Sequence, residues 1–83
     1  MTVCINSCWI PLAKKELHGS NVKICTVIGF PLGASPTEVK AFECSHAVKA
    51  GADEIDMVIN IGWLKAKKYE LVREDVKAVV DAS

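Results

Sequence analysis

Gly51-Ala52-Asp53-Glu54-Ile55-Asp56-Met57-Val58-Ile59-Asn60 reads as one parallel β-strand with an acid in its middle. Side chains alternate along a strand, so Ile55, Met57 and Ile59 share one face and Asp56, Val58 and Asn60 share the other. A strand apolar on one face and mixed on the other suits a parallel sheet covered on both sides. A carboxylate in such a setting costs on the order of several kcal/mol unless it is paired, hydrogen-bonded or protonated. Asp56 is therefore the residue that most needs a reason, as a buried acid satisfied by its neighbours or as a group kept for chemistry.

Upstream, Ser35-Pro36-Thr37-Glu38 carries the marks of a helix start: Ser35 as N-cap, Pro36 in the first helical position and Glu38 closing a capping box. That helix is expected to turn Val39, Phe42 and Val48 to the core and to stop at Gly51. Before it, Val22 to Phe30 is rich in β-branched residues and reads as a strand. Gly29-Phe30-Pro31-Leu32-Gly33 is the turn that ends it. It reads as an ordinary βα turn, since no P-loop pattern is present. Val3 to Asn6 is a short apolar strand. Trp9 to Leu17 reads as a short helix, capped by Ser7, with Pro11 in its first turn and Gly19 beyond its end.

Downstream, Asn60-Ile61-Gly62-Trp63 is the exit loop, and Lys65 to Ala82 reads as one helix. Tyr69, Val72, Val76, Val79 and Val80 form its core stripe at helical spacing. Lys67, Lys68, Arg73, Glu74 and Lys77 lie on its solvated side, with Glu70–Arg73 and Glu74–Lys77 as supporting pairs.

The order is β-α-β-α-β-α, which calls for parallel strands and right-handed crossovers. The fold class is α/β, and residues 1–83 form one unit of three βα modules. Such a unit is either a small three-stranded sheet or a partial TIM (β/α)8 barrel. The polar end of the Asp56 strand favours the barrel, whose strands carry functional groups at their C-terminal ends.

Composition excludes several function classes. Acidic and basic residues balance to zero net charge, so no electrostatic footprint for nucleic acid or an anionic membrane is present. No apolar run reaches membrane-span length, and the first residues lack a basic leader. Cys4, Cys8, Cys25 and Cys44 have no CxxC spacing, and His18 and His46 show no metal-type spacing with them. Reduced thiols in a cytoplasmic protein are the expectation, with no metal. Trp9 and Trp63 read as core or interface anchors.

The stretches Val22 to Gly33 and Gly51 to Gly62, with Thr37 to Glu43 and Tyr69 to Val80, resemble the deoxyribose-phosphate aldolase family along essentially the whole chain. The resemblance implies a class I aldolase on a TIM barrel. Such an enzyme cleaves 2-deoxy-D-ribose 5-phosphate to glyceraldehyde 3-phosphate and acetaldehyde through a lysine Schiff base, without cofactor. It implies Asp56 as the proton-relay acid and Cys4 as a substrate-side residue, although core packing is the better reading of Cys4 from the residues alone. It places Thr26 and Asn60 near the barrel interior. The ligand is then a sugar phosphate. The match corresponds to the second to fourth βα units, with the Schiff-base lysine and the phosphate loops on later strands of the family.

None of this chain's lysines stands at the C-terminal end of a strand, where a Schiff-base nucleophile belongs. The isolated chain is therefore expected to be inactive. The alternative is a non-catalytic barrel piece that associates with itself or a complementary partner. Two open sheet edges favour a homo-oligomer.

Overall fold

The computed structural model describes all 83 residues. Three strands, β1 (Thr2–Ile5), β2 (Lys23–Ile28) and β3 (Glu54–Met57), form one parallel sheet in the order β1-β2-β3. Cys4 pairs with Cys25, which pairs with Glu54; Ile5 pairs with Thr26, which pairs with Ile55. A 3₁₀ turn, Ser7–Trp9, leads into α1 (Ile10–Glu16). α2 (Thr37–Ala50) joins β2 to β3, and α3 (Ile61–Lys65) and α4 (Tyr69–Ala82) follow.

The helices cover one face of the sheet. Ile24, Thr26 and Ile28 of β2 turn to that face and are buried, while Lys23, Cys25 and Val27 turn to the other. Ile10, Ile24, Ile28, Cys44, Ala47 and Val79 form the core, with Ile5, Ile55 and Met57 packed against it. The sheet's opposite face has no layer on it. A compact monomer of 9.0 kDa presents about 4,850 Å² of surface, whereas this chain presents 5652 Å².

Three parallel strands and the stop at Gly51 (φ 118°) form as expected, but the strand read over residues 51–60 is only Glu54–Met57 and that read over 22–30 is Lys23–Ile28, because Gly51 ends α2 and Asn60 already caps α3. Several helix details differ. α2 buries Lys40, Cys44 and Ala47 instead of Val39, Phe42 and Val48, which are 51%, 72% and 39% exposed. Apolar residues lie on both sides of this helix. The small side chains face the sheet because they let the helix approach closely, and Lys40 joins them because α4 supplies it a partner. Lys40 Nζ lies 2.5 Å from Asp75 Oδ2 with both side chains fully buried, and donates a second hydrogen bond to the Val58 carbonyl at 3.1 Å. The Thr37 hydroxyl donates to the other Asp75 oxygen at 2.7 Å.

That use of Thr37 also bears on the helix start. Ser35 does not cap α2; the Pro36 carbonyl opens the helix by accepting from the Val39 and Lys40 amides. Ser7 likewise provides no cap, since the first turn after β1 is 3₁₀ and begins on the Asn6 carbonyl.

The single helix expected from Lys65 is two helices. Lys67 adopts a left-handed conformation (φ 61°), and the Lys68 amide donates back to the Trp63 carbonyl, which closes α3. On α4, Val72 and Val79 are buried and Val76 is half-buried, but Tyr69 and Val80 are exposed. The buried stripe passes through Asp75, one turn from Val72 and Val79. Glu70 and Arg73 approach to 3.8 Å, while Lys77 pairs with Asp81 at 2.7 Å and not with Glu74. These exposed pairs contribute little.

Thr26 is fully buried between sheet and helices, and its hydroxyl finds no partner. Replacing it with Val keeps the shape and removes an unsatisfied polar group, so Thr26→Val is expected to stabilise the fold by about 1 kcal/mol. The shift of the urea midpoint at unchanged m-value measures it.

Candidate active site

The uncovered face of the sheet carries the residues singled out by their chemistry. Cys4, Asn6, Trp9, Val27, Phe30 and Asp56 line a groove of about 510 Å³ at the C-terminal ends of the strands. Its polar members are one acid, one thiol and one amide. Pairing of Val27 with Asp56 sets the acid beside the central strand.

The expected burial of Asp56 is not what forms. Asp56 is exposed, because the face that it shares with Cys25 and Val27 is open. Its carboxylate needs no compensating partner in this setting, and it points where a ligand can reach it. Cys4 is exposed on the same groove.

Thr26 and Asn60 sit elsewhere. Thr26 alternates with Cys25 and Val27 and so lies on the helix-covered side, opposite Asp56, not toward the interior of a barrel. Asn60 is 7% exposed, and its Oδ1 accepts from the Trp63 amide at 3.0 Å to cap α3. Its side chain therefore fixes the exit of β3.

Two residues of α2 tie down the C-terminal rim. The Glu43 carboxylate accepts from the Gly29 amide at 2.8 Å, just past β2, and Lys40 holds the Val58 carbonyl, just past β3. At the other end of β2, the Asp53 carboxylate accepts from the Ile24 amide at 2.9 Å. Helix spacing alone does not mark Lys40 and Glu43 as rim supports, since both types usually face solvent. A larger depression of about 980 Å³, lined by Lys14, His18, Lys23 and Asp53 among others, lies at the N-terminal ends of the strands. In βα architectures that end serves stability and the opposite end serves chemistry.

Cys25, which the strand pattern reads as a small apolar side chain, is paired with Cys4 on the open face but does not line the groove. Burial, then the neighbouring Cys4 thiol, then the charges of Asp56 and Glu54 push its thiol up to about 11. Its thiolate fraction at pH 8 is thus about 100-fold below that of a thiol at the ordinary 9.0. Iodoacetamide at pH 8 is expected to label Cys25 about 100-fold more slowly than a free thiol of ordinary value, as read by peptide mass spectrometry over time. Cys44, fully buried and also shifted upward by burial, should resist labelling until the chain unfolds.

No family model matches the chain. It is 63% identical over 81 residues to deoxyribose-phosphate aldolase of Mannheimia succiniciproducens, matching 98% of this chain and 36% of that protein. It is 65% identical over 82 residues to the enzyme of the same name from Clostridium perfringens, matching 99% of this chain and 37% of that protein. The chain is a homologue of one third of a deoxyribose-phosphate aldolase. Among solved structures, the fold matches the aldolase QR15 with a TM-score of 0.92 at 40% identity, over 99% of this chain and 36% of that one. It matches the deoxyribose-phosphate aldolase of Aeropyrum pernix, solved as a tetramer, with a TM-score of 0.79 at 32% identity, over 94% of this chain and 32% of that one. The chain thus spans about a third of the length of the curated deoxyribose-phosphate aldolases it matches, and its three-stranded sheet is a part of their barrel. No helix is long and apolar enough to cross a membrane.

Proposed function

We propose that this chain forms the Asp56-bearing part of a deoxyribose-phosphate aldolase, a cytoplasmic lyase that cleaves 2-deoxy-D-ribose 5-phosphate to glyceraldehyde 3-phosphate and acetaldehyde. The observation that carries this reading is Asp56, exposed beside Cys4 at the C-terminal rim of a sheet homologous to those aldolases. A retro-aldol cleavage through a lysine imine needs a group that passes protons to and from the substrate carbon and hydroxyl. An exposed carboxylate on the groove suits that role, with Cys4 beside the substrate. Asn60 contributes by fixing the strand exit and Thr26 by packing, so neither touches substrate.

The nucleophile lies outside these residues. The groove lining contains no lysine. Lys40 is the one buried lysine, and an ammonium held 2.5 Å from a carboxylate has no free lone pair for a carbonyl carbon. The chain alone is therefore inactive, and borohydride reduction with deoxyribose 5-phosphate leaves no adduct on it. The direct test grafts residues 1–83 in place of the matching third of the Clostridium perfringens relative. The chimera is expected to cleave the sugar phosphate, and Asp56→Asn in it to lower kcat by about 10²- to 10⁴-fold. An active Asp56→Asn chimera, or an inactive but folded parent chimera, overturns the reading.

A second reading, a self-associating module, draws on the surplus surface and on the unpaired edges of β1 and β3. It predicts a homo-oligomer by light scattering; a stable monomer at micromolar concentration removes it.

A further inference from the structure

Cys4 and Cys25 occupy paired positions on neighbouring parallel strands, so their side chains leave the sheet side by side on the uncovered face. Cys4 is exposed and Cys25 partly so. Neighbouring strands run about 4.8 Å apart. A disulfide wants Cβ atoms about 3.8 Å apart, closer than paired positions on parallel strands stand. Two metal–thiolate bonds of about 2.3 Å laid end to end span about 4.6 Å, which nearly equals the strand spacing. No group of three or more His, Cys, Asp and Glu side chains converges there to build a higher-coordinate site.

We propose that Cys4 and Cys25 form a two-coordinate clamp for a soft monovalent cation of the Cu(I) class. Thiolates select such ions over harder ones. On binding, two S–H bonds release their protons to solvent and two S–Cu bonds form, and copper stays in the monovalent state. The bound unit carries one net negative charge. Glu54 and Asp56 on β3 oppose it, and Lys23 on β2, on the same face two residues before Cys25, favours it. Cys8, in the 3₁₀ turn, lies outside the pair. An occupied clamp stands two pairing rows from Asp56 on the same face, at the edge of the groove that Cys4 lines.

The test is anaerobic titration of the full chain with Cu(I) against a chromophoric chelator. One ion per chain is expected, bound at least 100-fold more weakly in Cys4→Ser and in Cys25→Ser and equally well in Cys8→Ser and Cys44→Ser. Cys25→Ala repeats the test if Cys25→Ser does not fold, with circular dichroism as the check. Affinity should fall about 100-fold per pH unit of acidification around neutrality, because two protons compete for the site. Glu54→Gln should tighten binding several-fold, whereas a site that used this carboxylate as a ligand would weaken. One ion per two chains, retention in either Cys4→Ser or Cys25→Ser, dependence on Cys8, or weakening by Glu54→Gln each overturns the proposal.

Discussion

Asp75→Ala is expected to remove about 3–5 kcal/mol of stability, because it leaves the Lys40 ammonium buried without its partner. At roughly 0.1 kcal/mol per residue, a chain of 83 residues has about 8 kcal/mol in all, so the variant loses close to half. Both Asp75 oxygens are engaged, one by Lys40 and one by the Thr37 hydroxyl, so the substitution strands two donors at once. Urea denaturation followed by circular dichroism gives the loss. The double replacement Lys40→Met with Asp75→Leu should recover most of it, since an apolar pair of similar volume removes both desolvated charges together. A double variant as unstable as Asp75→Ala would mean that the Lys40 bond to Val58 matters more than the pairing of charges. A free Lys40 would also loosen the rim next to Asp56, so in the active chimera Asp75→Ala should lower kcat before it unfolds the protein.

Gly33→Ala is the second substitution with a large expected effect. Gly33 has φ 67°, and a Cβ there would lie 2.2 Å from the Ile59 carbonyl oxygen and 2.9 Å from Val58 Cγ1. Left-handed backbone strains an alanine by about 1–2 kcal/mol, and a clash with main chain adds about 1–3 more. The loss is expected near 3 kcal/mol, read from the same urea transitions. The contact joins the turn after β2 to the exit of β3. Gly19→Ala is the matched control: its φ is 83°, but nothing lies within 4 Å of the added Cβ, so it should show the backbone strain alone.

The strand pattern and the alternation with helices made the fold class legible in the residues, because parallel pairing follows from the connections and not from fine detail. The face of α2 was not legible. Val39 and Phe42 are the bulkier apolar groups on it, yet the packed side is the small side, and only the position of Asp75 on α4, 35 residues away, makes Lys40 a core residue. The break between α3 and α4 left no mark either, since Lys67 takes a left-handed turn without glycine or asparagine. Within the site, Asp56 stood out from its strand, whereas Cys4 read as core packing from the residues and entered the site only through the resemblance; it is exposed because its face of the sheet is uncovered. The placing of Thr26 near the barrel interior came from the resemblance alone; its alternation with Cys25 and Val27 sets it on the helix-covered face instead.

The central place of β2 also sets how the molecule breathes. β2 is bonded on both sides, and its Ile24 amide is held further by Asp53, whereas β1 is short, mostly exposed and bonded along one side only. Local opening follows the weakest bonded edge. In deuterated water the amides of Thr2–Ile5 should therefore exchange first and those of β2 last. When β1 peels away it carries Cys4 with it and leaves Cys25 and Asp56 on the remaining strands, so a partner that grips the thiol pair would reveal itself as slowed exchange in the first strand, without having to touch its backbone.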